Sequence, residues 1–327
     1  MHLTLPQIGA NILGLIYTTF LVLSYCALLF IPPSNAFAAT IVTVTKADSL
    51  LIEYRNALIE LSLEKSHKEY GDFEFQYIHI QPSGERTSRL IKLDKYKNLI
   101  MGHGVTTELI ADKGLKFLDY PIYQGVLGYR VCFTSKSAEK TASKANNLKS
   151  IQDLKFLVGL HWSDTAILEH NLIDIEVGAK HSALFEMIAR QRADLFCRGI
   201  NEIKTEAEGM GKKLKLTVNK SFYLQYDNPI VFTSSINSTI LERINIGIKN
   251  AQSDGSLLRL WKKYFGESIR YVDLEKRNLI RLETPYNHLF SDRMRQELTE
   301  SKHYFKVSEE DTNDSKLRVP TTLFKTE

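Results

Sequence analysis

The sequence predicts an α/β protein made of two units, each a mostly parallel sheet flanked by helices. Three observations carry the prediction. From Ile41 to Gly104, apolar β-branched stretches alternate with helix-period stretches, the order that builds a parallel sheet. From Phe117 to Phe133, two extended segments follow one another with no helix between them. From Ile151 to Cys197 the helix and strand alternation starts again, as if a second unit had been inserted after the first.

Composition sets the outer bounds. The chain has 327 residues, 43% hydrophobic and 24% charged, enough apolar material for two modest cores. Its 42 basic and 38 acidic residues leave a net charge of +4, too small to predict nucleic-acid binding or a polybasic membrane surface. Residues 1–38 read as an export signal, because the charge-free run Ile12 to Ile31 is followed by Pro32-Pro33-Ser34-Asn35 and the cleavage-type sequence Ala36-Phe37-Ala38. The run is also long enough to remain as an uncleaved anchor, and Met1 to Asn11 carries no Lys or Arg to orient insertion. Both readings put the body outside the cytoplasm, with the periplasm the expected compartment. Tyr25 before Cys26 argues against a lipid-attachment box. Cys132 and Cys197 both lie in apolar strand-like runs; two separate buried thiols are expected, and a disulfide is the alternative that an oxidising compartment permits. No Cys or His spacing suggests a metal site and no H-E-x-x-H occurs, so neither metal nor cofactor is expected.

The elements follow in order. Ile41 to Thr45 reads as a strand, and Asp48 or Ser49 caps a helix whose Leu51, Tyr54, Leu58 and Leu61 form one apolar stripe. Phe73 to Ile80 is a strand, broken by Gln81-Pro82-Ser83-Gly84, and Glu85 to Leu93 a helix exposing Arg86 and Arg89. Asn98 to Met101 is a third strand, ending in Gly102-His103-Gly104-Val105-Thr106-Thr107; this G-x-G lacks a third glycine and is no dinucleotide fingerprint. Phe117 to Gly125 is extended, Gly128 to Phe133 a strand, and Thr134 to Asn147 has a linker's composition. The second unit reads helix Ile151 to Leu154, strand Phe156 to Leu160, helix Thr165 to Asn171, strand Ile173 to Val177, helix Ser182 to Gln191 and strand Ala193 to Cys197. An acidic helix, Asn201 to Gly211, and a strand, Leu214 to Val218, come next, with Gly209-Met210-Gly211-Lys212-Lys213 a solvated turn rather than a phosphate loop. Pro229 to Thr233 is a strand, and Thr239 with Glu242 forms a capping box for a helix with Leu241, Ile244 and Ile248 on one face. After Asp254-Gly255 a last helix buries Leu257, Leu260, Trp261 and Tyr264. The chain then becomes charged, with one further helix near Ser291 to Lys302 and a polar, disordered end from Glu309 to Glu327.

This order of parts resembles the extracytoplasmic solute-binding proteins of family 3, the amino-acid ABC transporter type with the two-lobed type 2 periplasmic-binding fold. The resemblance rests on Thr106-Thr107 with Phe117 to Tyr123 as the crossing segment, on Asp153-Leu154-Lys155 with Val158-Gly159 as entry to the second lobe, on Ala193-Asp194-Leu195-Phe196, and on Asp254-Gly255-Ser256 with Trp261 to Gly266 as the closing helix. It covers roughly residues 40–266. Gly128-Tyr129-Arg130-Val131, Trp162 to Leu168 and Arg198 to Ile203 are similar to a divergent branch of that superfamily. The resemblance implies lobe 1 over 39–128 and 225–266, lobe 2 over 129–224, and a C-terminal extension over 267–327. It departs from the family at one place: Thr106-Thr107 is followed by Glu108, where amino-acid binders carry the Arg that grips the ligand carboxylate. An ordinary α-amino acid is then expected only if Arg130 or Arg198 takes over.

The resemblance implies a cleft between the lobes lined by strand ends, with Thr106, Thr107, Tyr123, Arg130, Trp162, Ser163, Asp164, Thr165 and Arg198 as candidate ligand-binding residues. The corner Gly159-Leu160-His161-Trp162-Ser163-Asp164-Thr165 joins a buried strand to a helix start, where unpaired N–H groups favour polar ligand groups. Trp162 and Tyr123 would supply facing stacking surfaces, while a packed lobe residue for Trp162, helix capping for Ser163 and Asp164, and an ion pair of Arg198 with Glu202 are the structural alternatives. His161 reads as a satisfied polar residue. The expected function is binding of a small polar solute by a monomer that delivers it to a membrane permease; a sensing role towards a membrane partner is the alternative. Enzyme activity is not expected, because His161, Ser163 and Asp164 are sequence neighbours that do not point at one another and no G-x-S-x-G elbow exists, although the superfamily includes dehydratases.

Overall fold

The computed structural model describes residues 38–305 except Asp48, residues 80–84 and His161. The export signal, Cys26, the Asp48 cap, the break at 81–84, His161 and the polar tail lie outside the described residues. The first strand β1 (Thr40–Thr45) is followed by helix α1 (Leu50–Lys65), the short α2 (His67–Tyr70) and β2 (Phe73–Ile78), which pairs with β1 in parallel. Then come α3 (Glu85–Lys92), β3 (Met101–Gly104), α4 (Thr107–Ala111) and β4 (Leu115–Phe117). The strand expected at Asn98 to Met101 divides its pairing. Leu99 bridges Thr43 of β1 in parallel, and β3 then turns to pair antiparallel with the returning chain.

The chain continues with β5 (Tyr129–Thr134), α5 (Glu139–Ala142), α6 (Leu148–Gln152), β6 (Phe156–Gly159), α7 (Asp164–His170), β7 (Ile175–Gly178), α8 (His181–Ala189) and β8 (Leu195–Gly199). The linker expected at 134–147 is instead packed structure, because Ala138, Ala142 and Ala145 fall on one face and are buried with Ile151, Phe156 and Val158. After α9 (Ile203–Glu206) the helix continues through a π turn at Ala207–Gly211 into α10 (Lys212–Leu214), so Gly209 and Gly211 lie within helical backbone rather than in a turn. Then follow β9 (Thr217–Val218), β10 (Phe222–Gln225), β11 (Ile230–Ser235), α11 (Ile240–Ser253), α12 (Ser256–Val272), β12 (Asn278–Arg281) and α13 (Asp292–Glu300).

Among the described residues, one sheet has the order β12-β10-β5-β8-β6-β7 with β9 on β5, and a second has the order β3-β11-β4. The pairs β6–β7, β6–β8 and β10–β12 are parallel, whereas β5 runs antiparallel to β8, β9 and β10. Neither β10 nor β12 stands out in the sequence. Each is four residues long, and β12, an edge strand, leaves Asn278, Leu279 and Arg281 exposed.

Helix packing sets the first core. On α1 the fully buried apolar residues are Tyr54, Leu58, Ile59 and Leu63, while Leu51 and Leu61 stay half-buried. The stripe rotates because α11 lies against it: a Cβ on Gly247 would come within 1.8 Å of the Ser62 carbonyl oxygen, so only glycine permits the approach. Buried Arg243 of α11 donates to the Gly71 carbonyl at 2.6 Å and to the Thr40 hydroxyl at 2.9 Å, satisfying backbone groups at the α2–β2 corner. No capping box forms at Thr239; Glu242 instead pairs with Lys116 at 3.0 Å. On α12, Leu257 and Trp261 point inward as expected, Leu260 and Tyr264 are half-buried, and the helix runs past Gly266 to bury Ile269 and Val272.

Cys132 and Cys197 form a disulfide, against the expectation of two separate thiols. The β5–β8 register places them directly opposite one another, an arrangement no reading of either strand alone supplies. The bond closes a loop across a sequence separation of 65. Replacing both cysteines by Ser should therefore lower stability by about 4 kcal/mol on the loop-entropy scale. Urea unfolding with and without reductant checks this; a midpoint insensitive to both changes would contradict the cross-link.

Candidate functional site

The strand directions bring one set of residues to one edge of the larger sheet. Strands β6, β8 and β10 end there, and antiparallel β5 begins there, with Arg130 opposite both Gly199 and Leu224. Carboxyl ends of strands in an open α/β sheet are where ligands are usually held. The residues just beyond these ends are Trp162 to Asp164 after β6, Asn201 and Glu202 after β8, and Tyr226 to Asn228 after β10.

Two buried arginines organise the edge. Arg130, 7% exposed, forms an ion pair from Nη2 to Asp164 at 2.8 Å and donates from Nε to the Tyr226 hydroxyl at 2.8 Å. Tyr226 in turn donates to the same oxygen of Asp164, closing a three-residue ring. Burial alone would lower the Arg130 pKa, but the charges of Asp164, Tyr226 and Glu202 hold it above its ordinary value. Arg198, 6% exposed, is gripped by both oxygens of Glu206 at 2.7 to 2.9 Å and by Glu202 at 2.9 Å. Its guanidinium lies 4.7 Å from the centre of the Trp162 ring. Trp162 rests on Gly159, where a Cβ would come within 2.3 Å of the indole. Burial pushes the Glu206 carboxyl up, yet hydrogen bonds from His181 and Arg198 win and hold it below the usual carboxylate range.

Two adjoining cavities open here and share Trp162, Ser163 and Ile230. The smaller, about 570 Å³, is walled by Leu50, Leu51, Leu127 and Ile230 and bordered by Arg130, Asp164, Arg198 and Glu206. The larger, about 940 Å³, reaches Thr106 and His103 on one side and Thr165 on the other. Ser163 accepts a hydrogen bond from the Asn228 amide at 2.9 Å, so its own proton is uncommitted. His103 is held by the Thr233 hydroxyl at 2.6 Å and lies 3.4 Å from Ser88; burial and the Arg55 charge behind it lower its pKa to about 4.

Seven of the nine candidates therefore line a cavity: Arg130, Trp162, Ser163, Asp164 and Arg198 the smaller, and Thr106, Trp162, Ser163 and Thr165 the larger. Tyr123 does not face Trp162. Its ring packs on Tyr54 and its hydroxyl donates to the Leu51 carbonyl, because its segment runs beside β11 into the core. Thr107 is exposed at the start of α4 and lines neither cavity, while Thr106 caps that helix through its hydroxyl. Neither Ser163 nor Asp164 makes a capping bond to α7; both are drawn into side-chain contacts with residues after β10. Arg198 does pair with Glu202, but inside the protein rather than on its surface. Tyr226, Glu206, His181 and Asn228 were missed. Only Glu206, one helical turn beyond Glu202 in the acidic helix, carried a sequence signal.

No protein-family model matches the sequence, and no curated protein matches it. Among solved structures, the GluR0 ligand-binding core in complex with L-glutamate aligns at TM-score 0.50 and 13% identity, covering 71% of this chain and 100% of that one. The corresponding core from Nostoc punctiforme gives 0.47 and 14%, covering 69% and 99%. A Bacillus subtilis protein gives 0.46 and 14%, covering 74% and 96%. The first likeness is one of fold: the chain has the two-lobed type 2 periplasmic-binding fold, a mixed α/β architecture with helices flanking its sheets.

The depressed Glu206 value has a consequence for acid stability. A carboxyl whose folded pKa lies below its unfolded one, about 4.3, stabilises fully above that unfolded value and loses the contribution as pH falls through the folded value. Between about pH 5 and pH 3, the wild type should lose stability more steeply than Glu206→Gln, which is less stable at neutral pH. Urea midpoints across that range test it, and equal slopes would show that Glu206 is not held as its charged form.

Proposed function

We propose that the protein binds a small polar solute in the cleft formed by the two adjoining cavities and presents its closed form to a membrane permease. The observation that carries this reading is the cavity of about 570 Å³ at the strand ends, whose walls combine apolar side chains with two buried, ordered guanidinium groups. Its lining draws on α1 and β11 from one side and on β5, α7 and α9 from the other, so a solute held there would bridge both lobes. In this reading lobe 1 comprises 39–128 and 225–266, lobe 2 comprises 129–224, and closure is a hinge motion at the two crossings. The fold shared with a glutamate-bound core agrees with such a role.

Export fits the same reading. A disulfide is at home in an oxidising compartment, which supports the periplasm. A membrane sensor is the alternative partner for the same closed form. A cleft enzyme is the less favoured alternative; of the histidines there, His103 beside Ser88 has its pKa lowered to about 4 by burial and the Arg55 charge, which makes it a weak base at neutral pH.

A thermal-shift screen of amino acids, amines, sugars and carboxylates on the full-length protein tests the proposal. A true ligand at 100 times its Kd should add about 2.7 kcal/mol of stability. Trp162→Ala should remove most of that shift. A solute consumed over time without raising the melting temperature would overturn the binding reading.

A further inference from the structure

Residues 267–305 lie beyond the part of the chain that resembles a solute-binding protein, and their contacts fall on both sides of the proposed hinge. The last turns of α12 run from lobe 1 onto α9 of lobe 2. There the Ser268 hydroxyl donates to the Ile200 carbonyl at 2.7 Å, and Glu267 pairs with Lys204 at 2.8 Å. Strand β12 then joins β10 in the larger sheet, with Ile280 and Leu282 buried among Phe156, Leu195 and Leu224. The Asn171 side chain holds the Glu283 backbone twice, accepting from its N–H at 3.0 Å and donating to its carbonyl at 2.7 Å. By Phe290 the chain is back on lobe 1. Phe290 and Met294 are buried there with Met101, Val105 and Leu115, Ser291 donates to Asp119 at 2.6 Å, and Gln252 donates to Glu297 at 3.1 Å.

The extension ends in a wedge. The Phe305 ring lies 4.4 Å from Tyr129, where β5 begins, and 5.4 Å from Trp261 of α12, while Tyr304 meets Trp261 at 5.3 Å. Sheet order says what these contacts do together. The two proposed crossings lead into β5 and out of β10, which are neighbours, so alone they form a connection about 5 Å wide. Such a narrow joint leaves both opening and twisting free. The third crossing leaves from β12, next to β10, and the Ser268 contact reaches the residue just past β8, next to β5. The lobes are then joined along four successive strands, β12-β10-β5-β8, a width of roughly 14 Å.

We infer that residues 267–305 are a strap across the hinge that confines the two lobes to a narrow range of opening. The inference rests on the two-lobe hinge of the proposed function, and its test needs no solute. Spin labels on Lys113→Cys in lobe 1 and Lys180→Cys in lobe 2, both at exposed positions, report the lobe separation by pulsed electron resonance. The full-length protein is used with Cys26→Ser; Cys132 and Cys197 are bonded to each other and take no label. The distance distribution should be narrow with the strap intact and broaden by more than about 2 Å when Ser268→Ala and Phe305→Ala release it. Circular dichroism melts confirm that the released protein is folded, and if the pair of substitutions melts too low, each is measured alone. A distribution that stays unchanged in a folded variant, or that is already as broad with the strap intact, overturns the inference. An unchanged distribution beside a solute found by thermal shift means that only the strap is wrong. A screen that yields no solute removes the binding function and leaves the distance test of the strap as it stands.

Discussion

Two guanidinium groups kept almost wholly out of water are the constraint on which this sheet edge depends. An isolated buried charge is destabilising by several kcal/mol, so Arg130 and Arg198 exist where they do only because carboxylates and a tyrosine hydroxyl reach them. Those partners come from different parts of the chain. Asp164 follows β6, Glu202 and Glu206 follow β8, and Tyr226 follows β10. The ion pairs thus hold three strand-to-helix or strand-to-loop connections in register at one sheet edge, with the β5–β8 disulfide fixing the two strands that carry the arginines.

The same pairing decides what the corner after β6 does. A free helix start with small polar residues would attract an anion. Here Asp164 is turned toward Arg130 and Tyr226, Ser163 accepts from Asn228, and the helix that follows spans only Asp164–His170. Trp162 has Gly159 beneath it and Arg198 against its ring, so its contribution to the cavity is shape and rigidity more than an open stacking face.

Much of this architecture was legible in the chain. The strands at Ile41, Phe73, Phe156 and Ile230 and the long helices after Thr239 and Gly255 followed from apolar patterning over several turns or residues. Arg130, Trp162, Asp164 and Arg198, which line the smaller cavity, were legible because they stand at or just past strand ends. Tyr226 and Glu206 were not, since the contacts that place them, Tyr226 with Arg130 and Glu206 with His181, arise only from sheet order. Tyr123 was misplaced because an aromatic residue in an extended segment gives no sign of which face it turns, and only its packing beside β11 settles that it joins the core. The cysteines depend in the same way on a cross-strand register that neither strand encodes alone.

In the proposed function a solute occupies the cavity between the paired arginines and the apolar wall of α1 and β11. The most direct measurement is a crystal structure of the protein with a solute that saturates its thermal shift. Density for that solute is expected against Leu50, Ile230 and Trp162, with both arginines still paired as here. Density at another place on the surface, with this cavity filled only by water, would contradict it.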